Sequence, residues 1–144
     1  MPYKIAKVDV WAADIMNRPG MLARVLEALT NAGAQLEFMV ARRASETTSR
    51  VFVAPLKGKK QVQAATDVGL VPAKGMHALR VDGPDRPGLA ANLTRALADQ
   101  SINLRGASAA AMAKKCVIYF GFGSADDAKN AARVLKKALS AKRA

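Results

Sequence analysis

A six-residue segment occurs twice in this chain, as Asn17-Arg18-Pro19-Gly20-Met21-Leu22 and as Asp85-Arg86-Pro87-Gly88-Leu89-Ala90. Each copy follows a strand-like run that ends in an aspartate, Val8 to Asp14 and His77 to Asp82. Each also opens a helix-like run, Met21 to Ala32 and Leu89 to Gln100. These residue types suit the capture of a small anion. A helix start leaves backbone N–H groups without intrahelical partners and carries partial positive charge, which favours a carboxylate. Gly20 and Gly88 have no Cβ, so a ligand can approach the main chain closely. A plainer role is also open: Asn17 and Asp85 are types that cap helices, with Pro-Gly as backbone punctuation.

The elements around the two segments repeat as well. At the same offset Asp14 matches Asp82, Ala28 matches Ala96, Leu29 matches Leu97, Leu36 matches Leu104 and Phe52 matches Phe120. Agreement over about forty aligned positions makes the chain two copies of one unit. The first unit is expected over residues 1–74 and the second over 75–144. In copy one, Lys4 to Ala13 reads as a strand. Met21, Leu22, Val25, Leu26 and Leu29 then line one face of a helix that Gly33 stops. Gln35 to Arg43 and Arg50 to Leu56 read as strands joined by a polar turn. Lys59 to Val68 is a short helix, and Gly69 to Pro72 a short last strand. Copy two repeats the order with Met76 to Asp82, Leu89 to Gln100, Ile102 to Met112, Lys115 to Phe122 and a helix Ala125 to Leu139. It then reaches Ser140 to Ala144 with no fourth strand, which would leave one sheet edge open to a partner. The fold class is α+β: two ferredoxin-like βαββαβ units, the second lacking its last strand.

Composition narrows the function classes. Apolar residues at 51% and charged residues at 24% describe a globular protein. No apolar run approaches the ~18 residues of a membrane span, and the first residues hold no apolar export core. Cys116 is the single cysteine, which excludes an internal disulfide and suits a reducing cytoplasm. The net charge of +12 points toward an acidic partner. The basic residues are scattered, however: Arg42-Arg43, Lys57 to Lys60, Lys114-Lys115, Lys136-Lys137, Lys142-Arg143.

The strand, Asp/Asn-Arg-Pro-Gly corner, helix and second strand, occurring twice, resemble the ACT domain. This regulatory module is found in phosphoglycerate dehydrogenase, aspartokinase and the acetolactate synthase regulatory subunit. The resemblance covers nearly the whole chain and is best from Asn17 to Leu36 and Asp85 to Leu104. It implies a non-catalytic sensor that needs no cofactor, whose units pair side by side and bind a small amino-acid-like effector at the junction. One site would comprise Asn17, Arg18, Pro19, Gly20, Met21 and Leu22 with Asn103. The other would comprise Asp85, Arg86, Pro87, Gly88, Leu89 and Ala90 with Gln35. The side-chain oxygens of Asn17, Asp85, Gln35 or Asn103 can receive an α-ammonium. Asn103 is the type usual at its position and Gln35 departs from it, which favours the site pairing the Asn17 loop with Asn103. The resemblance further implies a homodimer acting on a regulated enzyme or transcription partner, since no catalytic domain is attached.

Other chemistry finds little support. One His, one Cys and dispersed acids do not make a metal site. Cys116 lacks a neighbouring base and reads as strand packing. Asp126-Asp127 read as a helix start, and Gly121-Phe122-Gly123 lacks the spacing of a dinucleotide loop. RNA-recognition motifs share this strand order but display stacking aromatics on the open sheet. Here aromatics are 5%, Tyr119 and Phe122 are the best exposed candidates, and the equivalent Phe52 and Phe120 suggest shared core packing. The exposed side of the last helix, with Lys129, Arg133, Lys136 and Lys137, is a plausible protein contact.

Overall fold

The computed structural model describes residues 2–141, so Lys142 and Arg143 of the scattered basic residues lie outside the described residues. The elements are β1 (Lys4–Val8), β2 (Trp11–Met16), α1 (Met21–Asn31), β3 (Phe38–Arg43), β4 (Thr48–Ala54), α2 (Gly58–Asp67), β5 (Val71–Pro72), β6 (His77–Pro84), α3 (Leu89–Asp99), β7 (Gly106–Met112), β8 (Lys115–Phe122) and α4 (Ala125–Ser140). They form two four-stranded antiparallel sheets, ordered β3-β4-β2-β5 and β1-β6-β8-β7.

The first unit spans Asp9–Ala73. Its core joins Val25 and Leu29 of α1, Val51 and Val53 of β4, Ala65 of α2 and Leu70. The helical spacing of Val25 and Leu29 puts both on the sheet-facing side. α1 ends as Gly33 (φ +87°) lets its own N–H reach Thr30 and the N–H of Ala34 reach Leu29. α2 ends the same way around Gly69, and α3 around Ser101, a non-glycine residue at φ +57°.

The second unit combines the N-terminal segment with the chain from Lys74 onward. Here the structure departs from the expected division at residues 1–74 and 75–144. The run Lys4 to Ala13 is not one strand but two, β1 and β2, in different sheets. No Gly or Pro breaks that run, so its pattern carries no sign of the split. The second repeat lacks a last strand of its own, yet its edge is not open. β1 lies antiparallel to β6, from Lys4 opposite Asp82 to Val8 opposite Ala78. That is the place β5 takes beside β2 in the first sheet. Pairing satisfies backbone groups that β6 would otherwise present unpaired.

Tyr3 fastens this strand. Its ring is buried in the second core with Leu79, Leu93, Phe120 and Leu135, and its hydroxyl donates to the Pro84 carbonyl at 2.7 Å. A Cβ on Gly83 would lie 2.3 Å from Tyr3 Cδ1, so a glycine there is required for the ring to seat.

The two hairpins differ by one residue. Asp14 and Asp82 correspond in the repeat, but their cross-strand neighbours are Arg50 and Val117, one residue short of the repeat spacing. The second hairpin turns tightly through Ala113 (φ +52°) and Lys114 (φ +67°) between paired Met112 and Lys115, the left-handed pair of a two-residue turn. The shortening shifts β8 by one residue, so Phe52 and Phe120 do not share a role. Phe120 is in the core, whereas Phe52 is half-buried beneath Arg50, 5.3 Å from its ring centre.

Candidate functional site

The two Pro-Gly corners share one backbone design. The N–H of Asn17 donates to Thr47 O and the N–H of Asp85 to Lys114 O, both at 2.8 Å, tying each corner to its own hairpin tip. Gly20 (φ +88°) and Gly88 (φ +81°) then stand at the caps of α1 and α3, and neither cap has a side-chain hydrogen bond. A residue without a Cβ takes this left-handed geometry at low cost. The first helical bonds run from Arg24 to Gly20 O and from Asn92 to Gly88 O. Ahead of them Met21 N–H and Leu89 N–H turn back to Arg18 O and Arg86 O at 3.4 and 3.3 Å, the next two N–H groups of each helix start have no helical partner, and no acidic residue occupies either first turn. The capping reading of Asn17 and Asp85 therefore does not hold.

Their side chains do different things. Asn17 Nδ2 donates to the Glu46 carbonyl at 3.3 Å, and its Oδ1 accepts from Ser49 Oγ at 3.2 Å, so its amide braces the first hairpin. At the second corner a groove of about 420 Å³ opens between Asp85, Arg86, Gly88 and Leu89 on one side and Ala109 to Ala111 on the other. The alanine side chains of β7 leave the space that longer ones would fill. Arg18 is exposed, but Arg86 is held in place: its guanidinium carbon lies 5.2 Å from the centre of the Tyr3 ring, within cation–π range. Arg86 Nε is buried and has no hydrogen-bond partner among the described residues.

Cys116 lines the same groove and packs against the second core. Burial pushes its thiol pKa up, and the nearby Asp85 carboxylate adds to the rise, so at neutral pH it stays protonated and unreactive. The repeated aspartates serve as ion-pair partners. Asp14 meets Arg50 at 2.9 Å across the sheet, and Asp82 meets Arg80 at 3.2 Å on its own strand. The first pair is solvent-exposed and contributes little to stability.

Gln35 and Asn103 are exposed and lie ahead of β3 and β7, not inside the strands expected to begin at Gln35 and Ile102. The far wall of the groove at Asp85 is alanine. The residues that sequence reasoning missed there are Ala91, Ala109, Ala110, Ala111, Cys116 and Ile118. The signal for the β7 alanines was available: a run of small residues on a strand following a Pro-Gly helix start. Tyr3 carried no such signal, because its role depends on β1 leaving its own repeat. The aromatic candidates for base stacking fail, since Phe122 is fully buried and Tyr119 is buried. The exposed large apolar side chains among the described residues are Met16, Met39, Val71 and Met112.

Residues 77–141 match the family model of the ACT domain. The second repeat is therefore similar to the ACT domain over most of its length. The first repeat shares its element order, sheet order and Pro-Gly corner, and the chain is consistent with a tandem ACT protein. Among solved structures, a Bacteroides thetaiotaomicron protein aligns at TM-score 0.76 and 16% identity, covering 95% of this chain and 90% of that one. The ligand-free regulatory subunit of Thermus thermophilus aspartate kinase aligns at 0.68 and 15%, covering 97% and 98%. E. coli aspartokinase III, solved in complex with aspartate and ADP, aligns at 0.62 and 13%, covering 95% of this chain and 33% of the enzyme. These likenesses establish the fold. No curated protein matches the sequence.

Proposed function

We propose that this chain is a non-catalytic, cytoplasmic regulatory protein that binds a small amino-acid-like effector at its Pro-Gly corners. It acts as a homodimer on a separate enzyme or transcription partner. The residues proposed to meet the effector are Asn17, Arg18, Pro19, Gly20, Met21 and Leu22, and Asp85, Arg86, Pro87, Gly88 and Leu89. Asn103 and Gln35 are the polar complements that the family resemblance suggests. The observation that carries the reading is the second corner. An uncapped helix start, a glycine without a Cβ and Arg86 line one groove, and together they provide what a carboxylate needs. The neighbouring Asp85 carboxylate suits the ammonium end of the same ligand. Likeness in fold to an aspartate kinase regulatory subunit supports a regulatory role. RNA binding is less well supported, because no exposed large apolar side chain among the described residues is aromatic.

A thermal-shift screen against the twenty amino acids, nucleotides and a short RNA at two salt concentrations tests this directly. An effector at a hundred times its Kd adds about 2.7 kcal/mol, enough to raise the melting point by several degrees. The expected result is a salt-insensitive shift from one or a few amino acids. Gly20→Asp and Gly88→Asp then locate the site, with Gly20→Asn and Gly88→Asn as controls for the left-handed backbone. Nothing lies within 4 Å of a Cβ built on either glycine, so the new side chain meets no clash, and the asparagine controls carry the same strain of the left-handed backbone. An aspartate at the competent corner weakens binding about tenfold or more, the effect of one like charge a few ångströms away. Unchanged affinity and stoichiometry in both aspartate variants would overturn the site.

A further inference from the structure

The helical side of the second unit carries a groove of about 780 Å³ between α3 and α4, separate from the Pro-Gly corner. Its floor is apolar and low, formed by Ala96, Ile102, Val134 and Ala138. Its rim on α4 is basic, with Arg133 and Lys137. Lys129 and Lys136 lie farther round the same helix, outside the groove; all four side chains are exposed, and no acid follows Asp127 on the helix. Asp99 on the α3 side lies 4.0 Å from Arg95 of its own helix, so it does little to offset the positive rail.

The groove is not a packing fault. Beneath it Leu93 and Leu97 meet Ala131, Leu135 and Leu139 in a closed core, so the helices are joined without anything in the space above. An apolar channel beside a row of lysine and arginine is complementary to one kind of element. We propose that the α3–α4 groove docks an acidic amphipathic helix of another protein. Its apolar stripe would cover Ile102 and Val134, and its flanking carboxylates would meet Arg133 and Lys137. The groove is long enough: the α4 side that lines it, from Asn130 to Ala141, extends about 16 Å at the α-helical rise.

Charge selects this occupant. A second copy of the chain carries +12, and its own acids stand mostly singly, so like faces repel. A nucleic acid would use the rim but leave the floor unused, and no aromatic side chain lines the groove for base stacking. The inference concerns a different surface from the effector corner and needs no effector to be tested.

The test uses the full-length protein and a fluorescein-labelled 16-residue peptide with leucines at i, i+3, i+4 and i+7 and glutamates flanking them. A scrambled peptide of the same composition and a single-stranded oligonucleotide are the comparisons. The patterned peptide is expected to bind at least tenfold more tightly than the scramble, with amide shifts confined to α3, α4 and Ile102. Ala138→Arg raises the positive charge but fills the floor; it should weaken the peptide at least tenfold and leave oligonucleotide binding no weaker. Arg133→Glu with Lys137→Glu alters exposed positions only, and should reject the acidic peptide while accepting its glutamate-to-lysine counterpart. Equal binding of patterned and scrambled peptides would overturn the proposal. So would peptide shifts centred away from α3 and α4, or no measurable binding at all. Oligonucleotide binding that Arg133→Glu and Lys137→Glu abolish, with the patterned peptide inert, would instead make the surface a nucleic-acid contact.

Discussion

The two corners begin from the same six-residue pattern and end with different furnishings. At the first, the amide of Asn17 is engaged on both sides, by Glu46 and Ser49, and Arg18 is exposed. At the second, Asp85 and Arg86 border an open groove, and Arg86 is stacked on a tyrosine from the far end of the sequence. An internal repeat thus preserves a backbone device while its side chains separate into a braced copy and an open one. The lesson is that equivalence in sequence fixes where N–H groups point, whereas availability is set by neighbours that differ between the copies.

The comparison breaks most visibly at Tyr3, which has no counterpart holding the first corner. Tyr3→Ala removes a buried ring and should destabilise the second unit by about 3–5 kcal/mol, releasing β1 and Arg86 while leaving Asp9–Ala73 protected. Hydrogen exchange resolved by residue checks this: equal loss of protection in both units would show that β1 does not belong to the second alone.

Asn17→Ala and Asp85→Ala sharpen it next. The first loses two side-chain hydrogen bonds at the hairpin and should cost about 1 kcal/mol in denaturant melts. Asp85→Ala loses no such bond and should be close to neutral for stability. A smaller effect, of opposite sign, belongs to the turn that sets the second hairpin. Replacing Ala113-Lys114 with Asn-Gly keeps the left-handed geometry and relieves two non-glycine residues, raising stability by about 0.5–1 kcal/mol. A register change in the strands, seen by cross-strand contacts in NMR, would refute the turn assignment.

The smallest effect is the pH response at Cys116. Its folded pKa is raised, by burial first and by Asp85 second, so the folded state holds the proton to higher pH than the unfolded state does. Its contribution is complete below the unfolded thiol pKa and is lost as pH rises through the folded value. Alkylation by iodoacetamide should therefore lag behind a free thiol at pH 8 and speed up modestly in Asp85→Asn. An alkylation rate equal to that of a free thiol would contradict the groove environment. An effector bound at the second corner should slow the reaction further.

Much of the fold was legible because its signals are local. Apolar spacing placed α1 and α3, Asp126-Asp127 marked the start of α4, and β8 runs from Lys115 to Phe122 as read. The Pro-Gly corners were legible for the same reason: Pro and Gly restrict and free the backbone at their own positions. The expected strands at Gln35 and Ile102 began too early, since the apolar pattern there continues while hydrogen bonding to the neighbouring strand starts only at Glu37 and Arg105. The pairing of Phe52 with Phe120 failed because a one-residue change in a turn moves side chains to the opposite face of a strand.

The sequence by itself determined two ferredoxin-like units, the position of both corners and the absence of stacking aromatics from any recognisable motif. These follow from periodicity and backbone preference within a few residues. Only the tertiary structure decided that β1 completes the second sheet, that Tyr3 carries Arg86, and that Asn17 is engaged while the groove at Asp85 is open. Each of those outcomes depends on groups that are distant along the chain, as Tyr3 is from Pro84 and Asn17 from Ser49. Pairing an open strand edge and burying an aromatic ring are driven by whichever surfaces meet, and no local pattern records which those will be.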